Sequence, residues 1–154
     1  KEILEKYQGL FTLQWEGVTG SARVPSQAEW EQLLTNCSGF LFYGMERFLS
    51  HVLLNRLVAM NIPKCRLMIL LDLVRSKKSY QRVANSGIHK SCQYVAIEGP
   101  TETAMLLSLS GVGSIIANQW FTTLQENAQR LDILSESLLS MGRTTGQTVY
   151  VLQE

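Results

Sequence analysis

Two hydrophobic rhythms alternate along this chain. Unbroken apolar runs of strand length occur at Gly39-Phe40-Leu41-Phe42-Tyr43-Gly44, at Leu67-Met68-Ile69-Leu70-Leu71 between Arg66 and Asp72, and at Ser114-Ile115-Ile116-Ala117 before Asn118. Runs this short and continuous are expected of strands buried on both faces, as in a parallel sheet. Elsewhere the apolar residues recur at helical spacing. Ile3, Leu4, Tyr7 and Leu10 mark a helix face at the start of the chain, and Gly9, Gly17 and Gly20 then open a loop carrying Trp15. Pro25-Ser26 followed by Gln27-Ala28-Glu29 predicts a helix to about Asn36 that buries Ala28, Trp30, Leu33 and Leu34 in part. Ser26 is its N-cap and Glu29 completes a capping box. Val52, Leu53, Leu57 and Val58 predict a helix over residues 49–60, and Ala104, Met105, Leu107 and Leu109 a short buried one over 101–109. A long amphipathic helix is expected over 124–141 through Ala128, Leu131, Leu134 and Leu138, stopped by Gly142. The polar stretches 75–90 and 143–148 read as exposed loops. Strands alternating with helices define an α/β fold, a mostly parallel sheet with helices on both faces.

Composition narrows the function. The 154 residues suit one domain, or a piece of a larger protein, and the chain opens on Lys1 rather than Met. Charged residues make up 18%, below the ~25% of ordinary soluble domains, so part of the surface is expected to face other protein. With 14 Lys+Arg against 13 Asp+Glu, the chain lacks the basic excess that neutralises phosphates, which argues against a nucleic-acid partner. It also lacks a polybasic membrane motif and any apolar run near the ~20 residues of a spanning helix. Cys37, Cys65 and Cys92 form neither a CxxC pair nor an even set, so reduced thiols are expected, with no disulfide framework and no zinc. His51 and His89 sit in no metal motif, and no cofactor is called for.

In an open parallel sheet, ligands and catalytic groups gather beyond the carboxyl ends of the strands. Here those tips read Gly44-Met45-Glu46-Arg47, Asp72-Leu73-Val74-Arg75 and Asn118-Gln119-Trp120. A nucleophilic site would need a thiol or hydroxyl on one tip and an imidazole on another, and the tips offer Met45 and Asp72 instead. Glu46 and Asp72 stand open to two readings: a carboxylate pair capable of acid–base work, or ion pairs with Arg47 or Arg75, the second favoured. Gly111-Val112-Gly113 lacks the Gly-Lys-Ser/Thr ending of a phosphate loop and precedes a strand, so it reads as a tight turn. His51 is expected half-buried on its helix and His89 exposed. Trp15, Trp30 and Trp120 are either core or partner anchors. Arg75, Lys77, Lys78 and Arg82 form a solvated loop, with an acidic surface such as tubulin as the weaker alternative.

The series Trp15-Glu16-Gly17, Gly20, Pro25 to Trp30 and Gly39 to Gly44, followed by Gly111-Val112-Gly113-Ser114-Ile115-Ile116-Ala117-Asn118-Gln119-Trp120, resembles the catalytic region of separase and the CHAT-domain peptidases, relatives of the caspases. The resemblance spans residues 15–141, within one domain covering 1–154. It implies a caspase-like layered sandwich of which this chain supplies the catalytic half. Carried across, the family's catalytic histidine falls on Met45, its following glycine on Glu46, and its nucleophilic cysteine on or beside Asp72. The acidic residues expected after the tryptophan are replaced by Phe121-Thr122-Thr123. The resemblance therefore implies a pseudopeptidase whose vestigial cleft is bounded by Gly44, Glu46, Arg47, Arg75, Asn118 and Trp120. Among degenerate members, the chain is most similar to the C-terminal region of very large tetratricopeptide-repeat, cilia- and flagella-associated proteins of the axonemal central apparatus. That implies a structural role in motile cilia. Its partners would be the rest of its own chain and neighbouring, microtubule-associated axonemal proteins, held through anchors such as Trp30, Phe48 or Trp120. Two other readings are an active peptidase pairing Cys92 with His51 or His89, and a sensor holding a basic peptide between Glu46 and Asp72.

Overall fold

The computed structural model describes residues 2–10, 16–20, 23–72, 100–119 and 122–153. Its centre is a parallel sheet of β1 (Gly39–Tyr43), β2 (Leu67–Leu71) and β3 (Ser114–Ala117), ordered β1-β2-β3. Gly39 stands opposite Leu67, and Leu67 opposite Ser114, so all three strands run in step and end at one edge. Alternation along each strand sends Phe40, Phe42, Met68 and Leu70 to one face and Leu41, Ile69, Leu71 and Ile116 to the other. Both faces are covered, which is why the strands read as continuous apolar runs.

On the first face lie α2 (Gln27–Asn36), α3 (Phe48–His51), α4 (Leu54–Ala59) and α5 (Pro100–Leu109), contributing Trp30, Leu34, Phe48, Val52, Leu57 and Leu107. Phe48 is fully buried and sits among three rings, with centroids 6.2 Å from Trp30, 5.9 Å from Phe40 and 5.6 Å from Phe42. All three contacts are edge-on, the arrangement aromatic quadrupoles favour. On the second face, α6 (Leu124–Ser135) with its wider closing turn (Glu136–Ser140) brings Leu131 and Leu134 onto the sheet. Ile3 of α1 (Glu2–Tyr7) and Leu152 of α7 (Thr145–Gln153) pack beside them. The fold is thus a three-layered α/β sandwich, as the pattern of runs predicts.

The capping box at Ser26 and Glu29 is present. A second one, at Thr123 and Glu126, starts α6. Gly142 ends the wider turn at φ +61°, in the left-handed region that suits glycine. Gly113 is confined by a close approach, since a Cβ there would lie 2.9 Å from the Arg66 carbonyl oxygen. That contact and the positive φ of Gly111 account for the tight turn before β3.

Four expectations need correction. The helix over 49–60 is broken at Val52 and Leu53, whose backbones are extended. Ala28 is exposed, and so are Met105 and Leu109, so α5 is buried along one side only. Stretch 143–148 is not a loop: Thr145 onward is helical. The polar residues there are its cap, with the Thr144 amide donating to Gln147 Oε1 (3.0 Å) and the Gln147 amide to Thr144 Oγ1 (3.3 Å). Phe48, named as a partner anchor, is core, and of the two readings of Trp30 the buried one holds. The stretch 75–90, with Trp15, Arg75, His89, Cys92, Trp120 and Phe121, lies outside the described residues.

Candidate functional site

The common edge of the three strands brings Gly44, Met45, Glu46, Arg47, Asp72 and Asn118 to one end of the sheet. The backbone itself draws the first two tips together, the Gly44 amide donating to the Leu71 carbonyl at 3.3 Å. Asp72, the residue after β2, is the hub. Its carboxylate accepts the Phe48 backbone amide at 3.1 Å, which pins the first turn of α3 against the sheet. Its backbone carbonyl accepts from the side-chain amides of Asn118 (3.3 Å) and Asn127 (3.4 Å). One residue thereby ties the β1–α3 connection, the β3 tip and α6 together.

Asn118, Thr122 and Asn127 are buried, and buried amides must be satisfied by partners inside the protein. Asn118 Nδ2 donates to Asn127 Oδ1 at 2.8 Å, and its second hydrogen is shared between the Asp72 carbonyl and Thr122 Oγ1, each at 3.3 Å. Arg130 closes the set by donating to Asn118 Oδ1 at 3.2 Å. Both side-chain oxygens of the asparagine pair and the Asp72 carbonyl are thus matched to donors within the fold.

The electrostatics follow from burial. Half-buried Asp72 has its carboxyl pushed above the ordinary carboxylate value by desolvation, offset in part by the Phe48 amide and the Arg47 charge. Glu46 does not join Asp72. Its carboxylate lies 3.6 Å from His51 Nε2, a largely exposed partner for a half-buried ring. That imidazole packs against the rings of Trp30 and Phe42, each centroid 5.6 Å away. Among the described residues Glu46 is thus set beside His51, while the Arg47 charge acts on Asp72, in keeping with the ion-pair reading for that carboxylate. Met45 is 68% exposed, and its thioether can neither take nor return a proton at neutral pH.

The structure thus brings Gly44, Glu46, Arg47, Asp72 and Asn118 to one edge, while Arg75 and Trp120 fall outside the described residues. Sequence reasoning missed Thr122, Asn127, Arg130 and the Phe48 amide. The apolar stripe of α6 drew attention to its leucines, yet Asn127 lies four positions before Leu131 and so on the same helix face. An amide on an inward stripe is the signal that points to a buried network. Among the described residues no group of three or more His, Cys, Asp or Glu is placed to hold a metal ion, and no helix is long and apolar enough to cross a membrane.

Fold and site together define a layered α/β domain whose strand-end edge is occupied by a hydrogen-bonded structural network. The chain is 28% identical over 145 residues to cilia- and flagella-associated protein 46 of Chlamydomonas reinhardtii. The match covers 89% of this chain but only 5% of that much longer protein. No family model matches the chain.

Proposed function

We propose that this chain is a catalytically inactive, caspase-like domain acting as an interaction module within a large scaffold of the motile-cilium axoneme. The observation that carries the reading is the engagement of Asp72. At the position where the separase and CHAT resemblance puts a nucleophilic cysteine, the side chain holds the Phe48 amide, and its backbone carbonyl is held by two asparagines. A carboxylate that anchors a backbone amide of the fold is not a thiol nucleophile, and the Met45 thioether supplies no base. The ciliary part rests on similarity to the Chlamydomonas protein, of which the chain spans a small part.

An interaction role accords with the surface. Leu53 and Val58 beside and on α4, and Met105 and Leu109 on the neighbouring α5, are each more than half exposed. Such residues are what a docking module would cover. The partners in this reading are the rest of the same polypeptide and adjoining axonemal proteins at the central apparatus. Two measurements test it. Expressed with a tag in motile ciliated cells, the chain should stay with axonemes after detergent extraction, and release with the soluble fraction would overturn the ciliary reading. Incubated with a fluorogenic peptide library, it should give no turnover above buffer. Turnover abolished by Cys92→Ala would instead establish a peptidase with a displaced nucleophile.

A further inference from the structure

We propose that Cys37 and Cys65 form a peroxide-responsive dithiol that closes to a disulfide across the entry ends of β1 and β2. Their 28-residue separation matches no redox or metal motif, but it equals the offset that pairs Gly39 with Leu67. Pairing continues past the strand ends, with the Arg66 amide donating to the Ser38 carbonyl at 2.8 Å. Cys37 and Cys65 are the next step outward in the same register. Adjacent strands run about 4.8 Å apart, which falls within the ~4.4–6.8 Å between Cα atoms that a disulfide spans. Both side chains join the same apolar cluster on the first face of the sheet, so both point to one side.

The chemistry of the pair differs from that of two isolated buried thiols. Cys65 is fully buried, whereas Cys37 is half-buried and within reach of a small oxidant. Each thiol donates to a backbone carbonyl, Cys37 to Leu34 at 3.6 Å and Cys65 to Leu67 at 3.4 Å. Their mutual influence pushes Cys37 above the ordinary thiol value and Cys65 below it, so Cys65 is the thiol that ionises. With hydrogen peroxide as oxidant, the Cys37 sulfur passes its proton to the Cys65 thiolate as it attacks one peroxide oxygen, and the O–O bond breaks. The leaving hydroxide takes up the proton that Cys65 had earlier released to solvent and becomes water, and a sulfenic acid remains on Cys37. Cys65 then attacks the Cys37 sulfur, the S–O bond breaks, and the departing hydroxide leaves as water with the Cys65 proton. Two thiols and one peroxide become one disulfide and two waters, with two electrons passing from sulfur to oxygen. The resulting link ties β1 to β2 at the end of the sheet opposite Asp72.

The test is to treat the folded 154-residue chain with stoichiometric hydrogen peroxide, alkylate the remaining thiols and map the peptides by mass spectrometry. A Cys37–Cys65 linked peptide lighter by about 2 Da than the sum of its reduced parts is expected in the wild type and in Cys92→Ser. It should vanish on dithiothreitol treatment and be missing in Cys37→Ser. The readout in the wild type and Cys92→Ser does not depend on how well Cys37→Ser folds. Recovery of Cys37 and Cys65 as separate alkylated or sulfinic peptides would overturn the proposal, and so would linkage of either to Cys92. Oxidised Cys92→Ser should melt at or above the temperature of its reduced form, and a lower melting temperature would contradict a link formed in register.

Discussion

The two faces of the sheet are held by different physics. Among the described residues the first face gathers thirteen buried residues into one cluster, with Phe48 at the centre of its aromatic group, whereas the second gathers three. What the second face lacks in apolar volume it replaces with directional bonds. Tyr7 donates its hydroxyl to Asp132 Oδ1 at 2.9 Å, Tyr43 donates to the Leu124 carbonyl at 2.9 Å, and Asn127 reaches across to Asn118 and Asp72. Apolar burial supplies most of the stability but is indifferent to small displacements, whereas hydrogen bonds fix position. The first face therefore stabilises the sheet, and the second sets where its strand tips stand.

The sharpest way to break this contrast is to excavate each face in turn. Phe48→Ala removes a fully buried ring that touches three others and is expected to cost about 3–5 kcal/mol in urea denaturation. Leu134→Ala on the second face should cost about 2–3 kcal/mol, near the low end for leucine, because among the described residues its buried cluster is the smaller of the two. A Leu134→Ala loss equal to that of Phe48→Ala would put the two faces on the same footing.

Next in size is the polar network. Asn127→Ala leaves the Asn118 amide without its shortest partner and the Asp72 carbonyl with one donor fewer, an expected loss of about 1–3 kcal/mol. The side-chain amide resonances of Asn118 should shift with it. A stable variant with an unmoved Asn118 signal would show that the second face is held by its leucines alone.

The helix caps supply a control, because a cap is local and should not sense which face its helix covers. Ser26→Ala at the start of α2 and Thr123→Ala at the start of α6 are each expected to cost about 1 kcal/mol. Lying on opposite faces, they should add in the double variant. Excess loss from Thr123→Ala alone would mean that the α6 start is coupled to the buried asparagines nearby.

What was legible in the sequence follows the same division. The strands and the helices that start at Gln27 and Leu124 were readable, because volume burial writes itself as continuous or periodic hydrophobicity, as at Phe40 to Tyr43 or Leu67 to Leu71; the break at Val52 and Leu53 was not. The cap at Ser26 was readable because its two partners lie three residues apart. Asn127, Thr122 and the Phe48 amide were not, since their partners lie far away in sequence or are backbone atoms with no residue signature. The same blindness hid Cys37 and Cys65, whose relation is a strand register rather than a motif. It also hid the approach of Glu46 to His51, five residues on and across the start of α3. Phe48 was offered as a partner anchor, and Trp30 was left open between core and anchor, because aromatic residues mark cores and interfaces alike.

The smallest expected effect carries an unusual sign. Burial raises the Asp72 carboxyl above its ordinary value, so the fold favours the protonated form. The contribution of this group is then fully present below the ordinary carboxylate value of ~3.9, is lost as pH rises from there through the raised value, and stays lost at neutral pH. Asp72→Asn keeps an oxygen to accept the Phe48 amide and removes the charge that burial penalises. It should match the wild type near pH 3 and become the more stable of the two as pH rises, with the gap level by neutral pH. Asp72→Ala provides the counter-case: with the acceptor gone it should be less stable by about 1 kcal/mol. Paired urea titrations across this range decide whether the residue standing at the tip of β2 acts through its oxygen or through its charge. If Asp72→Asn loses stability at neutral pH, the charge is wanted, and the Arg47 beside it becomes part of what holds this end of the sheet.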